Sequence, residues 1–459
     1  MMDTSTAAQM TGGRRLGANA MFRRVTTDSR ALRTGDLFVA IHGERFDGHD
    51  FVATALANGA SAAMVDEAHA GLGGNLVAVE DTRAALAALA GGWRRRFALP
   101  LVVVTGSNGK TTVKEMTASI LRAQHGDDAV LATRGNQNNA IGLPQTLLGL
   151  RASHRAAVIE LGMNHRGETR ELAAVAQPTI ALVNNAQREH QEFMKTVAEV
   201  AAEHADAIAA LPRGTGVAVI NADDAYARVW RSAATRAGVE VLSFGIDADA
   251  DVRGSLIALG VDGSDVDLHL DGETLRVRLA APGMAMVRNA LAAAAAAHAA
   301  GVDAKAIVRG LEAFRAVGGR LAVRRAQGGA IVIDDTYNAN PDSVREGIDV
   351  LARARGRRVL VLGDMGEVGL QGPAFHREIG EYARVAGVDR LYATGTLARE
   401  SVLAFGAQAA HFDDLDALVA ALAPALEGDA TVLVKGSRFM RMERVVAALM
   451  GEPPLDKGH

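Results

Sequence analysis

The chain contains no cysteine. That excludes thiol nucleophiles, disulfides and cysteine-ligated zinc, and it agrees with a reducing, cytoplasmic setting. Aromatic residues are scarce while Ala and Gly are abundant, a balance that suits helices packed closely on sheets. No charge of one sign dominates. The formal net charge of −4 offers no general surface for nucleic acid or membrane. Long hydrophobic runs are missing as well. The longest, "ALAAAAAAHAAG" from Ala290, is short and mostly alanine, so it reads as a soluble helix and not as a membrane span. The N-terminal "MMDTSTAAQMTGGRRLGANAMF" has no continuous apolar core and is not expected to act as a signal peptide.

What is present is a series of short apolar runs separated by helical stretches. Early ones are "DLFVAI" (36–41), "AAMVDE" (62–67) and "NLVAVED" (75–81). "LVVVTG" (101–106), "AAVIELG" (156–162), "TIALVNNA" (179–186) and "GVAVINADD" (216–224) follow. "AIVIDD" (330–335), "RVLVLGD" (358–364), "RLYATG" (390–395) and "TVLVKG" (431–436) close the series. Strands alternating with helices predict an α/β fold with mainly parallel sheets. The length accommodates about three domains. Breaks fall at "RRRFALP" (94–100) and "AFRAVGGR" (313–320), and residues 245–282 read as a β-rich insertion in the middle domain.

"VVVTGSNGKTTVKE" (102–115) has the look of a phosphate loop but lacks the usual first glycine, whose position is Val104. "LVVV" before it is a strand candidate. In the helix predicted after it, Val113, Met116, Ile120 and Leu121 recur on one face. The loop therefore sits where a strand meets a helix N-terminus, with free N–H groups and the positive helix end available to an anion. Gly106 and Gly109 permit close backbone approach, Lys110 supplies positive charge, and the Thr111 hydroxyl can reach Mg²⁺. Ser107, Asn108 and Thr112 complete the expected nucleotide contacts.

Two later strands end in chemistry-bearing residues, Glu160 in "VIELGMNHRGE" and His190 in "LVNNAQREHQEF". Parallel sheets place ligands beyond the carboxyl ends of their strands, so both could reach the loop and help to hold Mg²⁺. Spacing alone supports this only weakly, because most Glu are solvated and most lone His are structural. His204 shares a helical face with Val197, Val200, Ile208 and Leu211, which suits a core histidine as well as a site histidine.

The short loop, "ELGMNHRGE", "NNAQREH" and "DDTYNANPDSV" (334–344) together resemble the Mur ligase family, which uses a loop of the form T-G-x-x-G-K-T. "TDSR" (27–30), "FVAIHGERFDGHDF" (38–51), "GNQNNAIGLPQTLL" (135–148), "VLGDMGEVG" (361–369) and "LVKGSRFMRMERVV" (433–446) extend the likeness over almost the whole chain. The resemblance implies three domains: 1–98 for a UDP-muramoyl substrate, 99–316 a central phosphate-loop ATPase domain, and 317–459 a Rossmann-like domain for the incoming group. It implies ATP and Mg²⁺. The implied reaction is ligation of D-alanyl-D-alanine to the peptide carboxylate of UDP-N-acetylmuramoyl-tripeptide by a cytoplasmic, monomeric enzyme. A sister ligase adding a single amino acid, a folylpolyglutamate ligase and a catalytically degenerate nucleotide-binding regulator are the alternatives.

Carried over position by position, the resemblance implies catalytic roles for Lys110, Glu160, His190 and His204, with Thr111, Glu160 and His190 near the metal. It implies nucleotide contacts for Asn289, Arg320 and Asp335. Ser29, Arg30, Asp47, Gly48 and His49 fall in motifs tied to the muramoyl substrate, and Asn138, Asn139, Asn338 and Asn340 in segments lining the cleft. Three departures stand out. Ala285 and Met286 replace the usual His-Asn before the adenine-side asparagine. His204 falls where many members carry a carbamylated lysine, and imidazole forms no such stable carbamate. "ANPD" (339–342) lacks the D-N-P-R sequence tied to diaminopimelate, which favours dipeptide addition.

Overall fold

The apolar runs form strands that are buried on both faces, as parallel sheets require. In the strand Leu101–Thr105 (β1) all five residues are buried. Removing a Val or Leu side chain of this kind from water contributes roughly 1.5–3 kcal/mol. Val104 lies inside β1, paired with Glu160 across the sheet. The glycine that longer loops carry there would interrupt a fully buried strand, so the turn begins at Gly106 instead.

The computed structural model describes residues 1–43, 46–326, 328–423 and 429–453. Glu44 and Arg45 of the "FVAIHGERFDGHDF" motif, and the end of the expected 317–459 domain, lie outside these residues. Three large sheets carry the architecture. The first has five strands in the order Arg14–Leu16, Leu76–Val79, Ala62–Asp66, Asp36–Val39, Arg24–Thr26, parallel except for the first pair.

The second sheet has nine strands. β1 lies between Ala156–Glu160 (β2) and Ile180–Val183 (β3), both parallel to it. Helix Lys110–His125 (α1) follows β1, helix Val197–Ala209 (α2) follows β3, and helix Met284–Ala299 (α3) packs near α1. The β-rich span forms Val252–Gly260, Gly263–Leu270 and Glu273–Leu279. These strands run antiparallel to one another and continue the same sheet, with Glu273–Leu279 at its edge.

The third sheet has six strands. Ile331–Asp335 (β4), followed by helix Pro341–Ala352 (α4), is flanked by Ala322–Arg325 and Ala430–Lys435 (β6), and Arg357–Leu362 (β5) lies on the far side of β6. All pairs but the first are parallel.

Two apolar cores join these sheets. One runs from Leu37 and Met64 of the first sheet to Leu101 and Ile159 of the second. The other runs from Val102 and Val287 to Ile333 and Leu360 of the third. At the first sequence break, Arg94 is buried and its guanidinium donates to Ala176 O, Phe97 O, Leu99 O and Gln177 O, so it ties the first layer to the second. Among the described residues no helix is long and apolar enough to cross a membrane.

Candidate active site

The carboxyl ends of the central strands open onto a cavity of about 890 Å³, walled by all three sheet units. Asp81 and Arg83, at the start of helix Thr82–Arg94, bound it on one side. Ser107 to Thr112 form its floor, and Arg320, Asp335, Tyr337 and Asn338 face them from the third unit.

The loop's glycines answer to sterics. Gly109 has φ +79°, and a Cβ there would lie 2.4 Å from Asn289 Oδ1 and 2.8 Å from Asn184 Nδ2. Gly106 has φ +138° and sits against Asn184, whose Cβ would be 2.9 Å away from an added one. These values belong to a conformation that glycine alone adopts without strain. The two asparagines hold the loop from behind: Asn184 Nδ2 donates to Asn108 O at 2.8 Å and to Asn289 Oδ1 at 2.9 Å. Asn289 therefore braces the loop as well as lining the cavity. Ala285 and Met286 also line it.

Thr111 Oγ1 donates to Glu160 Oε2 at 2.7 Å, and Asn138 Nδ2 donates to Glu160 Oε1 at 2.8 Å. Glu160 is buried, and register sets its position: it is the last residue of β2, opposite Val104. Asn139 shapes the neighbouring turn by accepting from Ile141 N and Gly142 N. Lys110 Nζ donates to Gly106 O at 2.5 Å, to Ser107 O at 3.1 Å and to Glu189 Oε2 at 3.2 Å.

Glu189, which nothing in the sequence singles out from its neighbour His190, is also a site residue. It is buried and lines the cavity. Burial alone would raise its pKa, but the Lys110 ammonium and the His204 and His190 imidazoles outweigh burial and hold it at about 2. His204 is fully buried, with Nδ1 on Thr105 Oγ1 at 2.9 Å and Nε2 on Glu189 Oε1 at 3.2 Å. It thus lies behind Glu189 and reaches the cavity only through that carboxylate. His190 lines the cavity, with φ +49° and Nδ1 on Glu367 Oε2 at 2.5 Å. A non-glycine residue in this conformation marks a position that its surroundings over-determine.

On the facing wall, Lys435 Nζ donates to Asp335 Oδ2 at 2.5 Å and to Asn338 O at 3.0 Å. The Arg320 guanidinium lies 3.9 Å from the centre of the Tyr337 ring, a stacked cation–π arrangement. Asn340 caps α4 through Ser343 N, and its Nδ2 donates to Asn108 Oδ1 at 2.9 Å, directly joining the third unit to the phosphate loop. Glu346 of α4 also lines the cavity and accepts from Gln187 Nε2 at 3.4 Å. Protein surrounds its carboxyl, yet the group faces the cavity. Burial pushes its pKa up to about 7 against the smaller opposing effects of Gln187, Lys435 and Arg288.

The other expected substrate residues lie in the first sheet unit, outside this cavity lining. Ser29 and Arg30 are in a short 3₁₀ turn, where Arg30 pairs with Asp28 at 2.9 Å. Asp47 accepts from His49 N at 3.0 Å and from His49 Nδ1 at 2.6 Å, and these bonds hold its carboxyl well below the usual range. Gly48 is required by a close approach, since a Cβ there would lie 2.6 Å from Ile41 N.

Each of the three sheet units matches a family description. Mur ligase family, catalytic domain, matches residues 22–94, Mur ligase middle domain 104–297, and Mur ligase, glutamate ligase domain, 319–438. The chain belongs to the Mur ligase family. It is 40% identical to the UDP-N-acetylmuramoyl-tripeptide--D-alanyl-D-alanine ligase of Escherichia coli (strain K12), over 98% of this chain and 99% of that one. Among solved Mur ligases it resembles MurF from Acinetobacter baumannii, with a TM-score of 0.89 and 34% identity, covering 98% of this chain and 99% of that chain. It also resembles MurF ligase from Thermotoga maritima in complex with ADP, with a TM-score of 0.82 and 28% identity, covering 94% and 97% respectively. The Mur ligase fold of this chain is therefore the mixed α/β, mainly parallel architecture that its sequence predicts.

Proposed function

We propose that this Mur ligase joins D-alanyl-D-alanine to the peptide carboxylate of UDP-N-acetylmuramoyl-tripeptide, consuming ATP and releasing UDP-N-acetylmuramoyl-pentapeptide, ADP and phosphate, a step of peptidoglycan synthesis. The observation that carries the reading is the single cavity in which the phosphate loop faces Arg320, Asp335 and Asn338. The names of full-length relatives support the substrates, and the ADP complex of the Thermotoga relative supports the nucleotide. Residues 1–98 are assigned to the UDP-sugar end, 99–316 to ATP and 317–459 to the dipeptide. The enzyme is assigned as a monomer, and the nucleotide-linked substrates suit a cytoplasmic setting.

A carboxylate is a poor electrophile, and its ligation to an amine is uphill in water. Transfer of the terminal phosphoryl group of ATP to the carboxylate gives an acyl phosphate. Two anions must first approach each other. Lys110 and the N-terminus of α1 offset that repulsion and stabilise charge on the phosphoryl group. The Thr111 hydroxyl and Glu160 carboxylate, hard oxygens 2.7 Å apart at the loop, fit Mg²⁺, while His190, with Nδ1 held by Glu367, has Nε2 3.6 Å from Glu189 Oε2. Bound there, the ion would neutralise phosphate charge. The dipeptide's amine then attacks the acyl carbon: the C–N bond forms, the C–O bond to phosphate breaks, and the amine loses a proton. Enclosure between the facing walls excludes water that would hydrolyse the acyl phosphate.

Phosphate release measured with ATP, UDP-N-acetylmuramoyl-tripeptide and D-alanyl-D-alanine, each omitted in turn, tests the reading. All three are expected to be required. Release with a free amino acid in place of the dipeptide points to a sister ligase, and no release at all points to a regulator.

A further inference from the structure

The loop after β3 makes a contact that the ligation chemistry above leaves unused. Arg188 N donates to Asp342 Oδ2 at 2.8 Å, and its Nε and Nη2 donate to Asp342 Oδ1 at 3.0 and 2.6 Å. The same guanidinium donates to Glu378 Oε2 at 2.8 Å and Oε1 at 3.0 Å. Its face lies 5.2 Å from the centre of the Phe375 ring. Asp342 is in the first turn of α4, where negative charge also meets the helix N-terminus, and Glu378 is on helix Gly372–Val385. Both belong to the third sheet unit, while Arg188 belongs to the second.

An isolated exposed ion pair contributes little to stability. Here a half-buried arginine is forked between two carboxylates and backed by an aromatic ring, the arrangement in which such pairs become directional and stronger than an exposed pair. The residues on either side of Arg188 reach the phosphate loop. Gln187 N donates to Ser107 Oγ at 2.8 Å, and Glu189 takes Lys110. Gln187 Nε2 also reaches Glu346 of the third unit at 3.4 Å, so this short segment touches the phosphate loop and the third unit together.

We propose that Arg188 is a positioning residue that latches the third sheet unit onto the phosphate loop, so that Arg320, Asp335 and Asn338 are set opposite Lys110 before substrates are consumed. The activity arm of its test rests on the ligase reading, and the distance arm does not. A cysteine-free chain allows two unique labels, at Ile257→Cys in the second unit and Leu403→Cys in the third, both exposed positions. Spin-label distances between them are expected to lengthen and broaden in Arg188→Ala without ligands. kcat/KM for the dipeptide is expected to fall about 10–100-fold, as slight misplacement of reacting groups does. Arg188→Lys, which keeps the charge and loses the fork, is expected to recover part of both. If Arg188→Ala does not fold, Glu378→Gln decides the matter, because it removes half of the latch from outside the loop and is expected to act in the same direction. Asp342→Ala combined with Arg188→Ala is expected to lose no more than Arg188→Ala alone. Unchanged distances, or losses that simply add, overturn the latch. Wild-type chain that shows no ligation while Arg188→Ala still lengthens the distance overturns the ligase reading and leaves the latch standing.

Discussion

At the scale of single residues, the site is a set of charges held in opposition. Lys110→Ala is expected to reduce ligation by about 10²–10³ or more, the loss typical of removing one aimed stabiliser of transition-state charge. Circular dichroism is expected to keep the wild-type spectrum while the melting temperature falls, because the buried Glu189 carboxylate loses its Lys110 partner, and turnover above a tenth of wild type would remove Lys110 from the mechanism. Glu346 gives a prediction with a sign. Its pKa is raised to about 7 from 4.5, so the folded chain holds this proton more tightly than the unfolded chain does. The stability it supplies is complete below the unfolded value and is lost as pH rises through about 7. Glu346→Gln is expected to abolish that loss: its melting temperature relative to wild type should climb between about pH 5 and about pH 8, and a flat difference refutes the assignment. Lys110 and Thr111 were legible in the sequence because a strand, a glycine turn and a helix occur together within a few residues, and Glu160 only weakly so, as the last residue of another apolar run. Glu189, Arg188 and Glu346 were not. Their partners Lys110, Asp342 and Gln187 are 79, 154 and 159 residues away, and a lone charge in a sequence reads as solvated.

At the scale of elements, periodicity was a sound guide where one face is buried. Val113, Met116, Ile120 and Leu121 of α1 are all fully buried, as their spacing predicts. The inward stripe of α2 likewise placed His204 in the interior, though nothing in that stripe named Glu189 or Thr105 as its partners. Strands such as Arg14–Leu16 and Arg24–Thr26 escaped notice because they are short and polar, lying at the sheet's edges where one side needs no apolar cover. One helix contact makes a stability prediction. In helix Ala304–Ala313, Gly310 crosses α1 so closely that an added Cβ would lie 2.3 Å from Ile120 Cα, and Ser119 Oγ donates to Gly310 O at 2.7 Å. Backbone cannot yield as a flexible side chain can. Gly310→Ala is therefore expected to destabilise the chain by about 1–3 kcal/mol in denaturant unfolding, despite alanine's better helix propensity. A neutral or stabilising result would mean that the two helices separate freely.

At the scale of the whole molecule, three sheet units converge on one cavity, and apolar cores bridge each neighbouring pair. Small-angle scattering with ATP and UDP-N-acetylmuramoyl-tripeptide is expected to show a narrower distribution of sizes than the ligand-free chain, and identical profiles would count against enclosure as the means of excluding water. The sequence signalled three units through two composition breaks, but it could not show that buried Arg94, inside the first break, fastens two of them together. The edge of the nine-stranded sheet has a consequence of its own. Glu273–Leu279 is the last strand on that side, with Arg278 N donating to Glu312 Oε1 at 3.4 Å; Glu273, Thr274, Arg276 and Arg278 are exposed there, and Arg276 is anchored across to Asp267. Charges on such an edge discourage a second chain from adding a strand. The same β-meander that lengthens the central sheet thus also brings it to an end, and guards the protein against the edge-to-edge aggregation that a sheet this long invites.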